Sequence, residues 1–454
     1  MLLLPACLPR PVPPRVPSGP EGEARAYLDA WANGDLQAQR DALAEVPADF
    51  DAQHARWRQG LGVVASRFER LSVVSQQEGA AIVGFRAVHT LRGLGDWEVD
   101  SLLSFVRREG RWRVRWTPAV LHSEARPGDG FSRVRTWGPR APLLDARGEP
   151  LTVPGEVISI GVEPRKVEDP AEVAEALFAQ VGLERGRVEA ALKAASARPD
   201  AFVGLIDVRP ERYRQVRSAL APVPGIFFRK KTARLSPAEG FAAHTLGRVG
   251  EVTAEALEAL GFPYQAGDVV GLSGLERAFE RRLAGRPSGE VRLTRASGET
   301  LLLRRFEGEE GTPVRTTLRR DVQTAAEAAL SGITQPAALV AVDAASGEVL
   351  AVVSRPLGEP LHRAMTGRYP PGSTFKVVTT EALLASGVRP DARISCPAEA
   401  AAGGKRFRNF EGEVLGDTSL RMAFAHSCNT AFIQLGARLE PGALGEAARR
   451  FGFW

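Results

Sequence analysis

The sequence predicts a multidomain α+β protein. Its 454 residues exceed the ~150 residues of an ordinary single domain about threefold. The order of patterns also changes along the chain: helical spacing comes first, then alternating strand patterns, then mixed regions. A hydrophobic share of 44% and a charged share of 25% are typical of folded, soluble domains. The net charge of +5 is small, and no basic block is interleaved with aromatics, which argues against a nucleic-acid partner.

The first domain is predicted as a small α+β cone at residues 21–125. Apolar residues at helical spacing run through residues 21–44, and Asn33 and Gly34 predict a break between two helices. Strands are predicted at residues 81–90, 98–107 and 112–116, with a turn at Glu109 and Gly110 before the last. Residues 1–20 are interpreted as the remnant of a signal and a proline-rich tether.

The second domain is predicted at residues 130–312, after a glycine- and proline-containing linker at 125–130. Helices and strands alternate here without an internal repeat. Helices are predicted at residues 172–181, 186–196, 254–260 and, as one element, 271–283.

The third region is predicted at residues 313–454. A helix face begins near Thr316, and residues 338–343 and 348–353 predict a hairpin around the turn at 344–347. Residues 373–385 then predict a helix that Gly387 ends. Apolar residues cover most of its circumference, so we expect this helix to be buried.

Ser373 and Lys376 are the first candidate catalytic residues. At positions i and i+3 they lie on one helix face. Serine is a weak nucleophile without an adjacent base, and lysine can serve as that base once burial favours its neutral form. Only six of the 59 basic residues are lysine, and arginine could not lose its proton. The free N–H groups at the helix N-terminus would face an oxyanion formed beside Ser373.

Ser427 and Asn429 are the second pair of candidates. They lie on a predicted turn between a helix at 420–424 and a helix at 430–439, where alternate side chains can point the same way. Ser-x-x-Lys and Ser-x-Asn are each common by chance, but their combination in this order is specific.

With these motifs the chain resembles the class B penicillin-binding proteins, the D,D-transpeptidases of bacterial wall synthesis. Residues 140–148, 273–276 and 283–285 are similar to signatures of the family's pedestal, or dimerisation, domain. Residues 21–125 resemble the nuclear-transport-factor-2-like domain of the MecA N-terminal type. The resemblance implies that the third region is the N-terminal part of a transpeptidase domain with a serine β-lactamase-like fold.

The resemblance also implies a role for each candidate. Ser373 would form an acyl-enzyme with a D-Ala-D-Ala stem peptide, and Lys376 would take the serine proton. Ser427 would relay a proton to the leaving amine, and Asn429 would orient Lys376 and the substrate. β-Lactams would acylate the same serine, and neither a metal nor an organic cofactor is implied. A glycosyltransferase of the wall-synthesis machinery is an expected partner, at the extracytoplasmic face of the cell membrane.

The chain departs from the family pattern at one motif. No Lys-Thr-Gly or Lys-Ser-Gly occurs in the sequence; the nearest string is Lys231-Thr-Ala, in the second domain. That motif supplies carboxylate recognition beside the second oxyanion donor. We therefore expect the chain to be a fragment, cut at both ends, with little or no activity of its own.

Three cysteines leave alternatives open. The residues before Cys7 resemble a lipobox, which predicts lipidation of Cys7 and a membrane anchor; an incidental cysteine in a disordered tail is the alternative. Cys396 and Cys428 could pair in an oxidising compartment. We favour free buried thiols, because sequence does not show whether their Cα atoms are close enough.

Three other functions fit parts of the sequence. A wall-associated scaffold with a vestigial site would have no chemical need for all four motif residues. A β-lactamase or β-lactam sensor shares Ser-x-x-Lys, but the long front half disfavours it. A hydrolase with His362 or His426 as base is disfavoured because no Gly-x-Ser-x-Gly surrounds Ser373.

Overall fold

The computed structural model describes residues 19–195 and 198–453. They form two compact units, divided between Met365 and Thr366. Cys7, most of the predicted tether and the predicted helix end at Ser196 lie outside the described residues. Within them, no helix is long and apolar enough to cross a membrane.

The first unit begins with three helices against a four-stranded antiparallel sheet in the order β1-β2-β3-β4. The elements are α1 (Pro20–Ala32), α2 (Leu36–Asp41), α3 (Phe50–Leu61), β1 (Val63–Gln76), β2 (Ala80–Leu91), β3 (Gly95–Arg108) and β4 (Arg111–Arg115). The predicted helix pair and three strands are present, and α3 and β1 are additional. The concave face of the sheet and the helices bury an aromatic core that includes Tyr27, Phe50 and Trp57.

The middle of the first unit contains two three-stranded sheets, β13-β12-β5 and β8-β7-β9, and several short helices. In order they are β5 (Gly130–Thr136), β6 (Leu143–Leu144), β7 (Val153–Val162), α4 (Pro170–Val181), α5 (Arg185–Ala194), β8 (Val203–Val208), α6 (Pro210–Leu220), β9 (Ile226–Leu235), α7 (Ala243–Leu246), β10 (Val249–Glu251), α8 (Ala254–Leu260), β11 (Val269–Gly271), α9 (Gly274–Ala278), α10 (Glu280–Ala284), β12 (Ser288–Thr294) and β13 (Thr300–Phe306).

One predicted helix in this part was wrong in detail. Residues 271–283 do not form a single helix, because Phe279, with φ −110° and ψ 23°, separates α9 from α10. The break turns the Glu280 carboxylate inward, where it accepts hydrogen bonds from Tyr264 Oη (3.0 Å) and Gly271 N (2.6 Å). A buried carboxylate needs such partners.

The first unit ends with the predicted helix and hairpin. They are β14 (Val314–Arg315), α11 (Arg320–Ala329), β15 (Ala337–Val342), β16 (Val349–Arg355) and the short α12 (Arg363–Thr366), which reaches the division. The antiparallel pairing of β15 and β16 confirms the predicted hairpin. The helix α11 and the hairpin both belong to the first unit, although the sequence analysis assigned them to the start of the third region.

The second unit consists of helices and two small two-stranded antiparallel sheets. Its elements are α13 (Lys376–Ala385), β17 (Arg393–Cys396), β18 (Glu399–Ala402), β19 (Lys405–Arg408), β20 (Gly416–Ser419), α14 (Leu420–Ala425), α15 (Asn429–Gly436) and α16 (Ala443–Arg450). β17 pairs with β20, and β18 pairs with β19. Helix α13 packs against α15 and α16.

Two expectations about this unit need correction. Helix α13 is fully buried on one face only: Val378 and Leu383 are buried, while Val377 and Leu384 are about 45% exposed. The free thiols that we favoured are also not observed. Cys396 and Cys428 form a disulfide, since β17 and the start of α15 bring their Cα atoms to 6.3 Å.

Candidate active site

Ser373 lies on a turn of 3₁₀-helix (Gly372–Phe375) that leads directly into α13, whose first residue is Lys376. The two prolines before the turn exclude an earlier helical start. The i, i+3 spacing brings Lys376 Nζ to 3.1 Å from Ser373 Oγ. Ser373 is exposed and Lys376 is half-buried, so the hydroxyl is accessible while the amine is partly shielded from water.

The other side of the site comes from the turn between α14 and α15. Ser427 occupies the left-handed region with φ 55°, which non-glycine residues adopt rarely. In this conformation both its backbone carbonyl (2.8 Å) and its Oγ (2.9 Å) face Lys376 Nζ. Asn429 opens α15, and its Oδ1 lies 2.6 Å from the same nitrogen. The structure thus brings together all four residues that the sequence singled out.

Lys376 Nζ has four oxygen neighbours, but an ammonium group has only three protons. Neither protonation form can bond to all four oxygens at once. The neutral amine donates two protons, to the Ser427 carbonyl and Asn429 Oδ1, and its lone pair can accept a proton from one of the two hydroxyls. Burial lowers the pKa of Lys376 below its usual value because desolvation disfavours the charged form. Both observations support a lysine that can act as a base toward Ser373.

Residues that the sequence did not single out complete the site. The backbone carbonyl of Arg408 accepts a hydrogen bond from Asn429 Nδ2 (3.0 Å), and the ring of Phe432 lies 5.8 Å from Lys376 Nζ. Ser373 and Lys376 line a cavity of about 610 Å³ that Phe407 and Phe432 also border. No spacing rule marks Arg408 in advance, because its backbone rather than its side chain contacts Asn429.

The remaining candidates lie apart from Ser373. His426 Nδ1 contacts Glu413 Oε1 at 2.8 Å, and His362 belongs to the first unit, where its ring contacts Thr245 and Ser354. Neither histidine is among the hydrogen-bond partners of Lys376 Nζ described above. Among residues 19–195 and 198–453, no group of three His, Cys, Asp or Glu side chains is arranged to hold a metal ion.

Three family models match successive parts of the chain. Residues 19–129 match the NTF2-like N-terminal transpeptidase domain, residues 135–316 the penicillin-binding protein dimerisation domain, and residues 337–453 the penicillin-binding protein transpeptidase domain. The matches agree with the resemblance found from the motifs, and together they account for most of the sequence.

Three relatives with partial sequence similarity to this chain are named as peptidoglycan D,D-transpeptidases. The chain is 35% identical over 183 residues to peptidoglycan D,D-transpeptidase PbpA of Mycobacterium tuberculosis, covering 32% of this chain and 37% of the relative. It is 34% identical over 224 residues to PbpA of Mycolicibacterium smegmatis, covering 40% and 43%. It is 25% identical over 349 residues to MrdA of Escherichia coli, covering 69% and 55%.

The chain thus spans 37–55% of the length of these relatives. The comparisons do not support the expectation that the chain is truncated. With its NTF2-like, dimerisation and transpeptidase domains, the chain belongs to the class B penicillin-binding proteins.

Proposed function

We propose that the chain acts in peptidoglycan D,D-transpeptidation, with Ser373 as the nucleophile. One observation carries this proposal: Lys376 Nζ lies within hydrogen-bond distance of Ser373 Oγ, Ser427 Oγ and Asn429 Oδ1 at once. A lysine held between two hydroxyls can take a proton from one and return a proton through the other.

In the first step Ser373 Oγ attacks the carbonyl carbon of the penultimate D-alanine. Its proton passes to neutral Lys376, and a C–O bond forms. The C–N bond to the terminal D-alanine then breaks, and the leaving amine takes a proton from Lys376 through Ser427 Oγ. The products are an acyl-enzyme and free D-alanine.

In the second step an amine from a neighbouring stem peptide attacks the acyl-enzyme. The attacking amine gives a proton to neutral Lys376 as the new C–N bond forms the cross-link, and Ser373 takes that proton from Lys376 as its C–O bond breaks. A β-lactam follows the first step alone: its ring amide bond opens and leaves Ser373 acylated. Asn429 would hold Lys376 and hydrogen-bond the substrate amide.

Location and partners are also proposals. The family assignment favours the extracytoplasmic face of a bacterial membrane, with an N-terminal anchor in which lipidated Cys7 would take part. The Cys396–Cys428 disulfide is consistent with export, because disulfides persist in oxidising compartments. A glycosyltransferase of the wall-synthesis machinery is the partner that this location would favour.

A fluorescent penicillin tests the proposed nucleophile. We expect a covalent adduct on the peptide that contains Ser373, located by mass spectrometry after digestion. Ser373→Ala should abolish the adduct, while Thr374→Ala, the neighbouring hydroxyl, should keep it. An adduct that persists in Ser373→Ala would refute Ser373 as the nucleophile, and a wild-type chain that stays unlabelled at saturating penicillin would refute the function.

A further inference from the structure

Asn409 is a buried amide to which neither the family resemblance nor the Ser-x-x-Lys chemistry gives a role. It directly follows β19 and is 8% exposed. Its Nδ2 donates to the backbone carbonyls of Pro397 (2.9 Å) and Glu413 (2.8 Å), and its Oδ1 accepts from the backbone N–H of Thr430 (3.0 Å). One side chain therefore joins three separate segments of the second unit.

These three contacts require a carboxamide of this size. Two carbonyl partners need two donors and the Thr430 N–H needs an acceptor, so the neighbours also fix which atom is oxygen and which is nitrogen. Aspartate has the same shape, but it would place a carboxylate against two carbonyl oxygens. Alanine would remove all three contacts and would leave the Pro397 carbonyl only its hydrogen bond from Thr430 Oγ1.

Two residues adjacent to these contacts in the chain connect Asn409 with the active site. Thr430 follows Asn429 in α15, and Arg408 precedes Asn409 in the chain. The Arg408 carbonyl accepts from Asn429 Nδ2 at 3.0 Å, which leaves Asn429 Oδ1 facing Lys376 Nζ at 2.6 Å. Asn409 therefore holds both the helix start that carries Asn429 and the carbonyl that orients its amide.

We propose that Asn409 is a positioning residue for acyl transfer at Ser373, acting through the orientation of Asn429. This inference rests on the proposed function of Ser373. If Asn409 is removed, the 408–409 segment no longer holds Asn429 Nδ2 in place, and the Asn429 amide can rotate by 180°. Nδ2 would then face Lys376, and two donors would meet where a donor now meets an acceptor.

The first test compares acylation rates of the full chain with fluorescent penicillin. We expect Asn409→Ala and Asn409→Asp to lower the second-order rate constant roughly 10²-fold, the effect of a misplacement of about 1 Å at a reacting centre. Gln323→Ala is a matched control, because Gln323 is a buried amide in the first unit with hydrogen bonds to both backbone groups of Val352. The control should lose stability but keep the rate.

A double-mutant cycle separates positioning from general destabilisation. If Asn409 acts through Asn429, Asn409→Ala should slow acylation no further in an Asn429→Ala background. Rate losses that multiply in the double variant would overturn the inference. So would a wild-type rate in Asn409→Asp, which would mean that only the shape of the side chain matters.

A readout independent of activity covers the case in which the proposed function fails. NMR can follow the titration of Lys376 after isotopic labelling of the six lysines. A carbonyl oxygen at 2.6 Å favours the ammonium form, so its loss in Asn409→Ala, which adds no charge, should move the titration of Lys376 to lower pH. An unmoved titration would overturn the inference even if the wild-type chain forms no adduct. A moved titration in a chain without adduct would retain the positioning of Asn429 and refute only the function.

Discussion

Asn429 Oδ1 lies 2.6 Å from Lys376 Nζ, the shortest of the four contacts between oxygen atoms and this amine. The two residues come from different helices, 53 positions apart in the chain. Because Asn429 is held in turn by the Arg408 carbonyl, the amine has a fixed position beside Ser373 Oγ. This relationship determines which substitutions the site should tolerate.

Replacement of Lys376 by arginine should abolish the base while keeping a positive charge. Arginine stays protonated in proteins, so it cannot accept the Ser373 proton. We expect acylation by penicillin to fall by roughly 10²–10⁴-fold, the usual contribution of a general base. Stopped-flow fluorescence measures the rate, and circular dichroism checks the fold. An arginine variant that acylates at the wild-type rate would contradict the role given to Lys376.

The acylation rate should rise with pH. Desolvation lowers the pKa of Lys376 below 10.5, so the neutral fraction of the amine increases with pH and reaches its plateau below the pH expected for a free lysine. The rate constant for penicillin acylation, measured from pH 5 to 10, should follow this single ascending limb. A rate that falls over the same range would indicate that a protonated lysine is needed.

Ser427→Gly should remove the hydroxyl of the proposed proton relay and leave the backbone conformation at this position unchanged. Glycine adopts φ 55° readily, so the carbonyl contact with Lys376 should persist while the Oγ contact is lost. We expect the free energy of unfolding to stay within about 1 kcal/mol of wild type, because relief of strain offsets the added freedom of the unfolded chain. Acylation should still slow. Ser427→Ala loses the same hydroxyl but keeps the strain, so it should be the less stable of the two.

Reduction of the Cys396–Cys428 disulfide should destabilise the second unit. The bond closes a loop between positions 32 residues apart, for which chain entropy gives roughly 3–4 kcal/mol. Urea unfolding with and without a reductant measures the difference. The double variant Cys396→Ala, Cys428→Ala should be less stable than the oxidised chain and insensitive to the reductant. Equal stability of the oxidised and reduced chains would mean that the bond does not contribute.

Two buried histidines should make the first domain sensitive to acid. Burial lowers the pKa of His54 to about 4 and that of His89 to about 3, whereas both have values near 6.5 in the unfolded chain. Since the unfolded chain binds more protons below pH 6.5, stability is fully present above that pH and falls as pH decreases toward 4. The slope should be about 1.4 kcal/mol per pH unit for each histidine.

Urea unfolding at pH 7, 6 and 5 tests this dependence. His54→Gln should remove about half of the slope between pH 6 and 5, because glutamine does not titrate. Gln39→Ala is the control, because Gln39 is a buried amide of the same domain that does not titrate, and it should leave the slope unchanged. A slope that is the same in wild type and His54→Gln would show that other groups cause the acid sensitivity.

Local patterns in the sequence predicted one hairpin of the first unit and the helices of the second unit that position the site. The hairpin of β15 and β16 and the helices α13, α14 and α15 follow from alternation, helical spacing and capping, which depend only on near neighbours. The helices α3 and α6 were not predicted. The break between α9 and α10 was also missed, because helical spacing does not reveal the buried partners of Glu280, namely Gly271 and Tyr264, which are 9 and 16 residues away.

By itself, the sequence determined the chemistry of the site: a serine, a lysine that can become neutral, and the Ser-x-Asn pair, all carried by short spacings. Only the tertiary structure decided their geometry. The contact of Lys376 with Asn429, the disulfide, and the hydrogen bonds of Asn409 with Pro397 and Thr430 join segments 12 to 53 residues apart. Such contacts depend on how helices and hairpins pack, which local patterns do not encode. The exposure of one face of α13 was misjudged for the same reason, since burial depends on the elements that surround a helix.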